Sequence, residues 1–384
     1  MSCPVCGSAD ARPVTQVAGM PVLCNAFAAT AEEARAMARG EIDLRVCGTC
    51  GMLHNAAFDP ALAPYDNAYE NSLHFSPRFQ EFAGELSADL VRRFGGPGRT
   101  VVEIGSGAGD FLEMVAPGFG TAVGIDPSLA AASEREVGGT PLRLLPGDID
   151  QAPEGLRADL LLSRHVLEHV PDPVALLRAM RERLAGSDTH IYVEVPDAGH
   201  MLRAGAVWDL IYEHVGYFTQ PALVAALAAA GWHDIATGTS FGGQYLWAEA
   251  AATARAGDDL TPAAEVDTVT AAARHFGEVY RDAVTRWTEF LEGERRAGAR
   301  VAIWGAGSKG VAFTNTLAPD VEVIDVNPRK RGRHVPGTGV AVSAPADVAG
   351  TLDTVLVMNG LYLDEIERSG KELGLDARYV AVDR

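Results

Sequence analysis

The sequence predicts an α/β protein of three units: a small cysteine-rich amino-terminal unit, a central doubly wound unit and a second α/β unit at the carboxy terminus. Three observations carry that reading. All five cysteines fall in the first 50 residues. Runs of β-branched residues followed by glycine loops and helical stretches begin near residue 100 and again near residue 300. The length of 384 residues, at about 150 per domain, allows two to three domains. The expected boundaries are 1–75, 76–255 and 256–384.

Composition narrows the function. Apolar residues make up 47% and charged residues 22%, the balance of a globular protein with a sizeable core. Asp and Glu outnumber Lys and Arg 51 to 32, for a net charge of −19, which repels nucleic-acid backbones and anionic membrane surfaces. No run approaches about 18 apolar residues, and the chain starts Met-Ser-Cys-Pro rather than with a signal segment. A cytoplasmic protein acting on a small molecule, as monomer or homodimer, is the expectation.

In the first unit, Cys3-Pro-Val-Cys6 and Cys47-Gly-Thr-Cys50 are each followed by a glycine that lets the chain turn both thiolates to one point. Four soft ligands in two such pairs suit a closed, structural Zn²⁺ site, which has no open position for substrate. Cys24, in the apolar run Val22-Leu23-Cys24, reads as packed.

The central unit opens with the strand Thr100–Ile104, the loop Gly105-Ser106-Gly107-Ala108-Gly109-Asp110 and the helical Phe111–Val115. Glycines at Gly105, Gly107 and Gly109 let backbone approach a ligand, and the helix start offers free N–H groups. About 20 residues on, Ala122-Val123-Gly124-Ile125-Asp126 sets a carboxylate where two ribose hydroxyls can be held. Glu103 in front of the loop repels a pyrophosphate but suits a cationic aminoacyl group. That disfavours a dinucleotide and favours S-adenosylmethionine. Asp148 is placed to meet an adenine amino group, with Ile149 against the ring. After the strand Asp159–Ser163 comes Arg164-His165-Val166-Leu167-Glu168-His169-Val170, with His165 counted among the cofactor residues and no metal assigned to the His165/His169 pair. In this order the segment resembles a class I methyltransferase, which implies a Rossmann-like central domain.

Past the strand Ile191–Asp197, the chain reads Trp208-Asp209-Leu210-Ile211-Tyr212-Glu213-His214-Val215-Gly216-Tyr217-Phe218-Thr219, dense in proton-transfer groups. His214 is the expected base, because imidazole titrates near neutrality. Glu213, Tyr212 and Tyr217 are expected to orient it or bind substrate oxygens, and Thr219 to cap the helix that starts at Gln220. Here the resemblance narrows to the sugar C-methyltransferase family, whose Glu-His-x-x-Tyr-Phe-Thr element stands as Glu213–Thr219. It implies a zinc-binding amino-terminal domain, a methyltransferase domain and a Rossmann-like carboxy-terminal domain. It also implies a histidine that removes a proton next to a keto group. The family's Tyr-His before this element is Ile211-Tyr212 here, and its His-Gly-Gly-Ser loop is Phe241-Gly242-Gly243-Gln244. The segment Tyr65–Ser76, polar and aromatic, reads either as a lid or as a packed linker.

A long bridging helix is expected over Ala271–Glu294. The strand Arg300–Trp304 then leads to Gly305-Ala306-Gly307-Ser308-Lys309-Gly310, and Val321–Asp325 follows. Lys309, Lys330, Arg331 and Arg333 would give this loop affinity for a nucleotide diphosphate, unless the unit is only a platform. The combined expectation is carbon methylation of a nucleotide-linked keto-deoxysugar. The alternatives are oxygen or nitrogen methylation of a small metabolite, a non-catalytic cofactor-binding scaffold, and a dehydrogenase, against which Glu103 argues.

Overall fold

The computed structural model describes residues 2–62, 75–254, 263–317, 321–348 and 350–383. At the amino terminus, β1 (Ala11–Pro21) pairs antiparallel with β2 (Arg39–Cys47), and β3 (Leu53–Asn55) adds to β2. Alternation along β2 turns Ile42, Leu44 and Val46 inward, the period of a strand with one wet face. Between β1 and β2, the short helix α1 (Ala31–Ala36) starts at a Thr30/Glu33 capping box.

The central unit begins with α2 (Pro77–Phe94), capped by Ser76. Its sheet strands are β4 (Gly96–Ile104), β5 (Phe119–Asp126), β6 (Ser133–Val137), β7 (Thr140–Pro146), β8 (Ala158–Arg164) and β9 (Ala185–Pro196). Later come β10 (Gly216–Tyr217), β11 (His233–Ser240) and β12 (Tyr245–Ala251). The central sheet runs β11-β12-β9-β8-β4-β5-β7-β6, with the neighbours from β9 to β7 parallel and their carboxyl ends on one edge. The helices are α3 (Asp110–Val115), α4 (Pro173–Leu184), α5 (Ala198–Ala204) and α6 (Gln220–Ala229). The expected strand–helix alternation breaks between β5 and β7, where a hairpin stands. Gly138 and Gly139 both take positive φ, the requirement of a two-residue hairpin turn, and Glu134 pairs with Arg143 across the strands.

β10 does not join the central sheet. It pairs with β3 as the fourth strand of the amino-terminal sheet. One apolar core runs on from there, taking in Ile42 and Leu44, Trp208 and Tyr212, and Phe276 and Ile303 from the carboxy-terminal third.

The bridging helix α7 spans Ala263–Arg296, longer than its expected Ala271–Glu294. Beyond it lie β13 (Val301–Trp304), α8 (Ser308–Leu317), β14 (Glu322–Ile324), β15 (Val342–Ser343), β16 (Thr354–Val357), α9 (Leu363–Glu372) and β17 (Arg378–Ala381). They form a wholly parallel sheet ordered β15-β14-β13-β16-β17, the second Rossmann-like unit. Among the described residues no helix is long and apolar enough to cross a membrane.

Candidate active site

The residues expected to hold the cofactor gather at the carboxyl ends of β4, β5 and β7, with His165 following β8. Gly105 has φ +78, and a Cβ there would lie 2.1 Å from Val166 Cγ2, so only glycine fits the turn out of β4. Asp126 accepts the Gly107 N–H (2.7 Å) on one oxygen and the Ser128 N–H (2.8 Å) on the other, which fixes it beside Gly107 and Gly109. Glu103 is buried, and its Oε2 has no hydrogen-bond partner among the described residues. Burial lifts its carboxyl to about 7; Arg164 opposes the shift and Asp126 adds to it. An orphaned buried acid facing a glycine loop fits the cationic aminoacyl end of S-adenosylmethionine. Asp148 is exposed and accepts the Asp150 N–H (2.8 Å), starting the turn that buries Ile149.

A ladder of alternating charge continues from Glu103. Arg164, stacked 4.0 Å over the Phe111 ring, donates twice to Glu194 Oε1 (3.0 and 2.7 Å). Tyr192 and Ser240 hydroxyls donate to Glu194 Oε2. Burial would raise the Glu194 carboxyl, but Arg164 and His165 outweigh it and hold it at about 2. His165 lies between Glu194 (3.4 Å) and Glu168 (3.6 Å). Burial depresses its pKa, and the two carboxylates outweigh burial to lift it to about 9. The cofactor role expected of His165 thus meets a residue whose ring is engaged by two acids and by Tyr245, 4.6 Å away edge-on. Arg164, Glu168 and Glu194 are site residues that no motif in the sequence singles out. Charged residues ending the apolar runs Leu160-Leu161-Leu162 and Tyr192-Val193 were the available signal. His165 and His169 do not share a helix: the segment is a loop with a single turn at Leu167–His169, and His165 takes φ +55.

The Glu213–Thr219 segment is pinned almost everywhere. Glu213, fully buried, accepts the Cys24 N–H on Oε1 (3.1 Å), so its carboxylate serves the amino-terminal unit. The phenols expected to face substrate are tied to backbone instead. Tyr212 accepts the Asp59 N–H (2.8 Å), and Tyr217 accepts the Ile211 N–H (3.2 Å) and donates to the Ile211 carbonyl (2.8 Å). Thr219 stands at the start of α6 without capping it through its side chain; its hydroxyl donates to the Gly51 carbonyl (3.0 Å). His214 stays half-buried. Its ring lies 4.9 Å from that of His169, and a ligand-type atom from each of Glu168, His169 and His214 falls within 4.8 Å of the others. Burial, and then His169, lower His214 to about 3, well below the near-neutral value expected of it, so at neutral pH its ring is unprotonated.

Cys3, Cys6, Cys47 and Cys50 converge, with Sγ atoms 3.6 Å apart for Cys3–Cys50 and 3.5 Å for Cys6–Cys47. Disulfide sulfurs stand at about 2.0 Å, whereas tetrahedral Zn–S bonds of about 2.3 Å put them about 3.8 Å apart. The spacing fits a four-thiolate metal site. Cys24 is buried apart from them.

Of the four cations expected to serve the carboxy-terminal loop, Arg333 is exposed and the other three are engaged. Lys309 pairs with Asp209 (3.1 Å), Arg331 pairs with Asp347, and Lys330 is buried, donating to the Ala306 carbonyl (2.9 Å). The segment Tyr65–Ser76, read either as a lid or as a packed linker, lies outside the described residues except for Phe75 and Ser76.

Residues 79–237 match the protein-family profile described as a methyltransferase domain, and residues 262–378 match the one described as a C-methyltransferase C-terminal domain. The chain is 26% identical to the C-methyltransferase NovU of Streptomyces niveus over 96% of its own length and 92% of that protein's. Among solved structures it resembles a methyltransferase of Bacillus halodurans, described there as putative (12% identity, 43% of this chain, 98% of that one, TM-score 0.34). It also resembles the magnesium protoporphyrin IX methyltransferase of Synechocystis (18% identity, 45% of this chain, 83% of that one, TM-score 0.35).

Proposed function

We propose that this S-adenosylmethionine-dependent methyltransferase acts on carbon, methylating the position next to the keto group of a nucleotide-linked deoxysugar, with His214 as the base. One observation carries the choice of base. Every other polar side chain from Tyr212 to Thr219 is tied to scaffold, while His214 is neutral, half-buried and beside the charge ladder that starts at the cofactor acid.

Glu103, Asp126 and the loop from Gly105 to Gly109 would hold the cofactor, with Asp148 and Ile149 at its adenine end. When bound, the cofactor supplies an electrophilic methyl group. His214 accepts the proton from the acceptor carbon, whose electron pair becomes an enolate. The pinned segment keeps the ring from moving as that charge forms. Tyr212, Glu213 and Tyr217 contribute by fixing the segment. Lys309 and Asp209, at the seam between the central and carboxy-terminal units, are a pair that an acceptor's diphosphate would open by competing for the lysine.

Cys3, Cys6, Cys47 and Cys50 would hold one structural Zn²⁺. Metal analysis is expected to find about one equivalent per chain, and a clearly lower content in freshly purified protein removes the assignment.

The deciding experiment for the reaction is solvent-deuterium exchange. Wild-type enzyme is expected to wash deuterium into the acceptor next to its keto group, and His214→Ala to abolish exchange and turnover with S-adenosylmethionine affinity retained. Turnover in His214→Ala near the wild-type rate rules out the base. Methylation without exchange moves the acceptor atom to oxygen or nitrogen.

A further inference from the structure

We propose that Glu168 is the carboxylate partner that sustains His214 as the base, a positioning role the sequence had suggested for its neighbour Glu213; this rests on the reading of His214 as base. Geometry separates the two acids. Glu213 directs Oε1 to the Cys24 amide, and it is its main-chain carbonyl that meets His169 Nδ1 (3.0 Å). Glu168, only 2% exposed, sits on the turn Leu167–His169 with a carboxylate oxygen within 4.8 Å of ring nitrogens of both His169 and His214.

Two further features assign it that role. Glu168 Oε2 is buried with no hydrogen-bond partner among the described residues, an arrangement that costs free energy unless a cation forms beside it. Protonation of His214 creates that cation. On the other side, His165 holds Oε1 at 3.6 Å from a left-handed backbone, φ +55, a conformation that persists where surroundings over-determine it.

The tautomer of His169 follows from its contact. A carbonyl only accepts, so Nδ1 carries the proton that meets it. The charged and titratable groups around Glu168 are His165, His169 and His214, with Glu194 and Arg164 behind His165. In the resting site the Glu168 carboxylate faces an imidazolium at His165 and a neutral His214. When the acceptor C–H bond breaks, its electron pair stays on carbon as the enolate and the proton passes to the His214 ring. The new imidazolium then lies next to Glu168. After methyl transfer has consumed the enolate, the proton leaves to solvent.

Two measurements on the full-length protein test this. The first follows the histidine C2–H resonances against pH. Glu168→Gln is expected to bring the His165 titration down from about 9 by a unit or more, and Glu213→Gln to leave it unchanged. The second measures exchange and turnover. Glu168→Gln and Glu168→Ala are both expected to lose roughly 100-fold in kcat, with KM and S-adenosylmethionine affinity within about twofold. Inert His214→Ala beside fully active Glu168→Gln overturns the partner role and spares the base. Active His214→Ala overturns the base itself. Paramagnetic broadening of His169 and His214 by added Mn²⁺, together with faster turnover, overturns the proposal by making the three groups metal ligands.

Discussion

Two glycine loops in this chain share a geometry and differ in charge. In the central unit Asp126 takes a loop N–H, from Gly107, on one oxygen and the N–H two residues ahead, from Ser128, on the other. In the carboxy-terminal unit Asp325 takes the Ala306 N–H (2.8 Å) and the Asn327 N–H (2.8 Å) in the same way. The central loop adds a second acid, Glu103, with an orphaned oxygen. The other loop adds Lys330, whose ammonium caps Ala306, lies 3.8 Å from Asp325 and sits over the Phe27 ring. One site keeps an unsatisfied negative charge for a cationic ligand; the other has met that need from its own chain. Backbone geometry makes a cradle, and the next charge along decides what can occupy it.

The comparison can be broken at its lysine first. Lys330→Met leaves Asp325 without its buried partner and is expected to cost about 3 kcal/mol in equilibrium urea unfolding. A variant as stable as the parent means that Lys330 does not hold the loop. Next, Asp126→Asn is expected to weaken S-adenosylmethionine binding roughly 50-fold in calorimetry, through lost charged hydrogen bonds to the ribose. Asp325→Asn should leave that affinity within about twofold; equal losses would erase the distinction between the loops.

The smallest effect concerns Glu103. The ionised form attracts the ligand's ammonium, yet in the free protein the carboxyl is raised to about 7, so a proton must leave before binding below that pH. Affinity should rise about fivefold from pH 6 to pH 7 and about twofold more by pH 8, and level off above that. Glu103→Gln should bind weakly with that slope removed, and a wild-type affinity flat across this range contradicts the raised carboxyl.

Much of the fold was legible because its signals are local. The paired Cys-x-x-Cys motifs, the runs Thr100–Ile104 and Ala122–Asp126 and the glycines after them each act within a few residues. Partners far apart in the chain were not legible. Glu213 reads as the natural orienter of His214 because it is adjacent, but it reaches Cys24, 189 positions away. Tyr212 and Tyr217 read as catalytic because phenols are reactive, and they are spent on Asp59 and Ile211. Lys330 reads as a phosphate ligand until its burial is known. Glu168 sits in plain view between two histidines, and only the meeting of two loops gives it a partner.

The two-residue strand β10 also bears on how this chain comes off the ribosome. The amino-terminal sheet lacks its fourth strand, and Gly51 lacks the Thr219 hydroxyl 168 positions downstream, until more than half of the polypeptide has emerged. The first unit made is therefore among the last to be finished, and late, long-range closure of this kind folds slowly. A fragment ending before residue 216 would lack that strand, so this segment is not a module that can be cut out or grafted elsewhere intact.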